Sequence, residues 1–175
     1  MPCLSDADFA RPKELNAERQ ARWQVQRQRL LDSAFYQRHH PEAPRKIPHA
    51  IDEIWHSPFT DKSQLRHDQA QYPPFGSYLA TSQDLVSRLH RTSGTTGHAM
   101  NLALSKNDAE MQAQVAGRAQ SAAGLGPGDV VVHCLNYQLW MGGLTDHLGL
   151  ESTGALVVPF GTGVTELLIR TVLDG

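Results

Sequence analysis

Two short β-branched runs, Val130-Val-Val-His-Cys134 and Ala155-Leu-Val-Val-Pro159, constrain this chain more than any other feature. Each is of strand length and lacks polar alternation, as expected of strands covered on both faces. Between them lies a segment of helical length, Leu139 to Thr153, closed by Gly154. Strands joined through a helix pair in parallel, so the pattern predicts a βαβ crossover in a parallel sheet covered by helices. The flanks agree with this α/β reading. Ser105 with Asp108 three residues later resembles a capping box and predicts a helix from Lys106 to Ala123, ended by Gly124 in a left-handed cap. Gly126-Pro-Gly128-Asp129 is a turn, and Thr165 to Leu173 predicts one more helix. A shorter run, Leu85 to Leu89, is expected to enter the same sheet.

The first third reads differently. Trp23, Leu30, Leu31, Ala34 and Phe35 recur at three-, four- and seven-residue spacing with Arg and Gln between them, which predicts an amphipathic helix over 16–38. Pro41, Pro44 and Pro48 then predict an extended connector. Residues 55–90 mix short apolar pieces with turn signals and yield no definite element. A domain boundary is expected near residue 50.

Composition excludes several functions. The formal net charge of −2 over 175 residues gives no field to draw nucleic acid or an anionic membrane. Cys3 and Cys134 stand far apart, which argues against a disulfide framework. The N-terminus lacks the basic-then-apolar pattern of a signal peptide. The longest apolar stretch, Ala155 to Phe160, is far short of the roughly 20 residues that span a bilayer. A cytoplasmic protein is expected. His39, His40 and His133 have no companions at metal-ligand spacing, so no metal site is predicted.

The segment that carries chemistry is Arg91-Thr-Ser-Gly-Thr-Thr-Gly97. Gly94 and Gly97 permit positive φ and close approach of backbone to a ligand. Successive N–H groups in such a turn bind anions, and Thr92, Ser93, Thr95 and Thr96 add hydroxyl donors. Composition alone leaves a flexible linker or tight turn open. The stretch is neither G-x-x-x-x-G-K-[ST] nor G-x-G-x-x-G.

Thr92-Ser-Gly-Thr-Thr-Gly97 resembles the phosphate-binding signature of the adenylate-forming superfamily. The flanks resemble its phenylacetate–CoA ligase branch. They include Ser57-Pro-Phe-Thr-Asp-Lys-Ser-Gln-Leu65, Tyr72-Pro-Pro-Phe-Gly76 and Ser105-Lys-Asn-Asp108. Further on come Ala122-Ala-Gly-Leu-Gly-Pro-Gly-Asp-Val-Val131, Asn136-Tyr-Gln-Leu-Trp-Met-Gly-Gly143, His147, Gly149, Glu151 and Gly154-Ala-Leu-Val-Val-Pro159. The resemblance implies that residues 51–175 are part of the AMP-binding ligase domain, preceded by an N-terminal helix and connector in 1–50. It also implies ATP, Mg²⁺ and CoA as cofactors, and a carboxylic acid, in the first place an aryl acid, as substrate. The loop 92–97 would hold the β- and γ-phosphates. Tyr137, Trp140, Gly142 and Gly143 would lie on the acyl side, the aromatics as flat walls and the glycines leaving room. Trp140 as ordinary helix core remains open beside this.

His147 is expected to be a structural residue, because nothing nearby in the sequence supplies it a partner. Two departures stand out: His98-Ala99 replaces the Lys-Pro that often follows the loop, and Gly161-Thr-Gly-Val-Thr165 alters the pattern after the last strand. In the family the adenine contacts, the Mg²⁺ carboxylate and the catalytic lysine come later than residue 175. The resemblance therefore implies a missing C-terminal segment or a complementary chain, and inactivity alone. The alternatives are a non-catalytic nucleotide- or protein-binding module and an inert truncated product.

Overall fold

The structure, a computed structural model, describes residues 6–93 and 99–174. The chain divides into two compact units, residues 6–85 and residues 86–174.

In the first unit, helix α1 runs from Pro12 to Asp32 and α2 from Ala34 to His39. The expected single helix over 16–38 thus starts earlier and is broken. Pro12 suits the first helical turn because the N–H it lacks would have no partner there. The Glu14 carboxylate caps the start, accepting from the Arg11 N–H at 3.1 Å and from Arg11 Nε at 3.0 Å. At Ser33 the backbone turns extended (φ −68°, ψ 123°), which ends α1. The connector is also not wholly extended. Residues Ala43–Lys46 form one helical turn, α3, with Pro44 in its first turn, where proline is tolerated.

The following segment is extended and is held along one stripe of α1. Trp23 Nε1 donates to the Pro48 carbonyl at 3.1 Å, Arg27 Nε to that of Ile47 at 3.2 Å, and Gln24 Nε2 to that of His49 at 2.6 Å. Trp23, Ala43 and Ile47 form the buried core here, with Leu30, Leu31 and Tyr36 against it. Helix α4, Lys62–Gln71, is capped by Asp61 and Gln64. On it Asp68, fully buried, accepts from the N–H and the hydroxyl of Ser77, both at 2.6 Å.

In the second unit, strands β1 (Val86–Arg91) and β2 (Asn101–Ser105) pair antiparallel, with His90 opposite Leu102 and Arg91 opposite Asn101. Helix α5 (Lys106–Ala122) follows, then β3 (Val130–Val132), α6 (Met141–Ser152), β4 (Leu156–Val158) and α7 (Thr165–Asp174). The Ser105–Asp108 capping box forms as expected, with the hydroxyl of Ser105 accepting from the Asp108 N–H at 3.2 Å. Gly124 and Gly154 follow α5 and α6 with φ of 104° and 86°. Strands β3 and β4 pair in parallel, Val130 with Leu156 and Val132 with Val158, and α6 makes the crossover.

Two expectations need correction. The run at 85–89 does not join the parallel sheet; it becomes β1 of a separate antiparallel pair, because a five-residue strand follows the loop closely enough to fold back on it. The strands β3 and β4 are also not covered on both faces: Val130 and Leu156 are each about 60% exposed. Helices α5 and α6 approach closely at Gly149, where an added Cβ would lie 2.5 Å from that of Ala116. Among the described residues no helix is long and apolar enough to cross a membrane.

Candidate functional site

The antiparallel pair brings the two ends of the glycine-threonine loop together. Beyond the last ladder pair, the Thr92 N–H donates to the Met100 carbonyl at 3.0 Å, and the Met100 N–H donates to Thr92 Oγ1 at 2.9 Å. The Thr92 hydroxyl accepts in this bond and keeps its own proton for another partner. Gly94, Thr95, Thr96 and Gly97 of the expected phosphate loop, with His98, lie outside the described residues.

Against the loop ends stands the segment after β3. A cleft of about 420 Å³ is lined by Arg91, Thr92, Ser93 and Ala99 on one side and by Asn136, Gln138, Leu139 and Trp140 on the other. Its described lining holds one charged side chain, Arg91, beside hydroxyls and amides, a composition suited to an anion. The second wall turns on one strained residue. Leu139 has φ +53° and sits at the centre of a γ-turn closed by the Trp140 N–H on the Gln138 carbonyl at 2.5 Å. A bulky residue at positive φ is a rare, strained conformation. The strain is opposed by the Arg91 N–H, which donates to the Leu139 carbonyl at 2.7 Å. Buried His90 stands next to Arg91 in β1, with the backbone of Leu139 and Trp140 near enough to favour its protonated form. Burial nonetheless holds the His90 imidazole below its ordinary value.

Of the residues expected on the acyl side, Trp140 lines the cleft and Tyr137, Gly142 and Gly143 do not. The indole of Trp140 covers Gly142, whose added Cβ would fall 2.7 Å from the ring. Gly143 packs on backbone, with the Asn136 carbonyl oxygen 2.1 Å from the place of its Cβ.

Tyr137 belongs to a hydrogen-bonded row. Its Oη lies 2.7 Å from Nδ1 of His133 and 3.0 Å from Nδ1 of His147, and His147 Nε2 lies 3.2 Å from Oε1 of Glu151. His147 is thus not without a partner. The spacing of His147 and Glu151, one helical turn apart on α6, was the readable signal; the contacts to β3 and the following loop are not local. Burial is the main cause that holds the His133 imidazole below its ordinary value, with His147 a further one. Burial and then the charge of Glu151 raise the Tyr137 phenol, which keeps it protonated at neutral pH.

No protein-family model matches the chain. Phenylacetate–coenzyme A ligases of Thermus thermophilus and Pseudomonas putida are each 36% identical to it over 124 residues, covering 71% of this chain and 27% of theirs. That of Escherichia coli (strain K12) is 33% identical over 135 residues, covering 77% of this chain and 29% of its own length. Among solved structures, 2-hydroxyisobutyryl-CoA ligase in an open conformation, in complex with 2-HIB-AMP and CoA, superposes with a TM-score of 0.79 at 27% identity. That match covers 93% of this chain and 38% of the other. The same ligase in the thioesterification state gives 0.80 at 28%, covering 94% and 35%. Fold and sequence together define this chain as the N-terminal portion of an adenylate-forming ligase. Within that class it belongs with the phenylacetate–CoA ligases, and it spans little more than a quarter of the length of those relatives.

Proposed function

We propose that this chain supplies the phosphate-binding and acyl-side part of an ATP-dependent ligase that joins a carboxylic acid, in the first place an aryl acid, to CoA. In that reaction a carboxylate oxygen bonds to the α-phosphorus of ATP while the bond to pyrophosphate breaks. The thiol of CoA then bonds to the acyl carbon, loses its proton and expels AMP. A free carboxylate is a poor electrophile, whereas the mixed anhydride carries a good leaving group.

In this reading residues 51–175 are part of the AMP-binding domain. The hydroxyl of Thr92 and the backbone and hydroxyl groups of Ser93, Gly94, Thr95, Thr96 and Gly97 receive the β- and γ-phosphates, and Arg91 adds a permanent cation to the same cleft. Tyr137, Trp140, Gly142 and Gly143 form the acyl side. The observation that carries the reading is one cleft shared by the loop ends and by Asn136, Gln138, Leu139 and Trp140, in a chain whose relatives are phenylacetate–CoA ligases. Among the described residues no three His, Cys, Asp or Glu side chains are grouped to hold a metal.

The missing share of the ligase is the partner this reading requires, as a C-terminal segment or a complementary chain. The test is acid-dependent exchange of pyrophosphate into ATP by this chain together with that share. Exchange that requires an aryl acid and is lost in Gly94→Val supports the reading. Exchange unaltered by that substitution removes the loop from it, and absence of exchange with any carboxylic acid removes the ligase.

A further inference from the structure

The row Glu151–His147–Tyr137–His133 has a direction that its chemistry dictates. It runs from a half-exposed carboxylate on α6, through His147, which is 14% exposed, to His133, which is 6% exposed at the end of β3. A neutral imidazole has one N–H and one bare nitrogen. The Glu151 carboxylate, 3.2 Å from Nε2 of His147, draws the proton of that imidazole to Nε2 and leaves Nδ1 bare. The Tyr137 O–H donates to that bare nitrogen, 3.0 Å away. His133 Nδ1, 2.7 Å from the same oxygen, must then be the N–H that donates to it. This leaves Nε2 of His133 bare, and among the described residues that buried atom has no hydrogen-bond partner. Its lowered proton affinity agrees, since a proton there would be buried and unpaired.

We propose that His147, backed by Glu151, and His133 are positioning residues for Tyr137. Together they engage the proton and a lone pair of its hydroxyl, fix the ring, and leave its apolar face as what Tyr137 offers an acid. This rests on the reading of Tyr137 as an acyl-side residue. It deepens that reading: with its hydroxyl held by the two histidines, Tyr137 meets an acid through the ring and not by a hydrogen bond from the phenol. Each ring pair in the row is edge-on, with centroids 5.3–6.0 Å apart, so the three rings also brace one another sterically.

Imidazole nitrogen NMR on histidine-labelled chain, with the complementary segment present where it is expressed with it, reads the row directly. His133 is expected as the Nδ1–H tautomer and His147 as the Nε2–H tautomer, and Tyr137→Phe, which keeps the ring, should shift the Nδ1 signals of both. Opposite tautomers, or spectra unmoved by Tyr137→Phe, overturn the proposal. In the ligase assembled with its C-terminal share, Tyr137→Phe and His147→Leu should each raise KM for the acid about two- to tenfold, the range of one hydrogen bond. The double variant should do no worse than either, and KM for ATP should stay unchanged. The tautomers as assigned, with KM for the acid unmoved, also overturn the proposal. Lack of pyrophosphate exchange in the unmodified assembly would instead remove the ligase reading.

Discussion

The carbonyl oxygen of Asn136 occupies the space in which a side chain on Gly143 would begin. A Cβ there would fall 2.1 Å from that oxygen, and the obstacle is backbone. Gly143→Ala should therefore destabilise the second unit by about 1–3 kcal/mol, as overpacking of a rigid contact does. At Gly142 the obstacle is the far edge of the Trp140 indole, which can move. Gly142→Ala should displace that ring into the cleft and leave stability nearly unchanged. Thermal or urea unfolding separates the two, and equal losses would contradict this account.

Replacing Gly94 or Gly97 by valine should lower adenylate formation tenfold or more in the assembled ligase, while acid binding changes less. Positive-φ or close-approach positions tolerate β-branched side chains at a strain of about 1–3 kcal/mol each. Pyrophosphate exchange at saturating acid is the measurement, and unaltered rates in both variants would remove the loop from phosphate binding.

Leu139 holds φ +53° in the wall of the cleft and is half exposed, so its side chain contributes little packing. Leu139→Gly should relieve strain of about 1 kcal/mol and leave stability level or slightly raised. With the turn no longer forced, ligand affinity in the cleft should fall. A loss of stability of several kcal/mol would show that the side chain matters more than the backbone.

Burial holds the imidazoles of His133 and His90 below the ordinary value of 6.5. The unfolded chain therefore binds protons at a pH where the fold still resists them. Their contribution to stability is fully present above about pH 6.5 and is lost as the pH falls through the folded-state values. Melting temperatures recorded from about pH 7.5 down to pH 5 should decline, and His133→Asn should flatten part of the decline. An identical slope in that variant would assign the effect elsewhere.

The 175-residue chain by itself should make no acyl-adenylate. Holding nucleotide and acid in line can supply roughly 7–11 kcal/mol of the barrier, and a partial site forfeits it. Apolar side chains on α7, among them Leu167, Ile169 and Val172, are more than half exposed, and so are Val130 and Leu156 on the parallel pair. Self-association is expected of such a surface, relieved when the complementary segment is present. Acid-dependent exchange and sedimentation on one sample are the measurements. Turnover by a soluble monomer would contradict both expectations.

The features legible in the sequence were those built from local chemistry. The Ser105–Asp108 cap, the left-handed Gly124 and Gly154 and the parallel pairing of the two valine runs all rest on residues close together in the chain or on its simple period. The break at Ser33 was hidden because the apolar spacing of α1 continues across it into Phe35. The antiparallel pairing of Val86–Arg91 was hidden because its partner, Asn101–Ser105, is a five-residue run that the sequence does not mark as a strand. Of the residues that line the cleft, Thr92, Ser93 and Trp140 belong to motifs readable in the sequence. The row through Tyr137 was not readable, since it joins the end of β3, the loop after it and a helix face; only its His147–Glu151 step follows a helical spacing.

The paired strands around the loop have one more consequence. Because Arg91 lies opposite Asn101 and Thr92 is bonded to Met100 in both directions, the closure of residues 93–99 is imposed by the ladder and not by the loop itself. The entropy of closing a loop rises only by about 0.6 kcal/mol for each doubling of its length. Lengthening the connection between the two strands should thus cost the fold little. On the proposed phosphate role, a change in that connection would be felt in nucleotide binding before it is felt in folding.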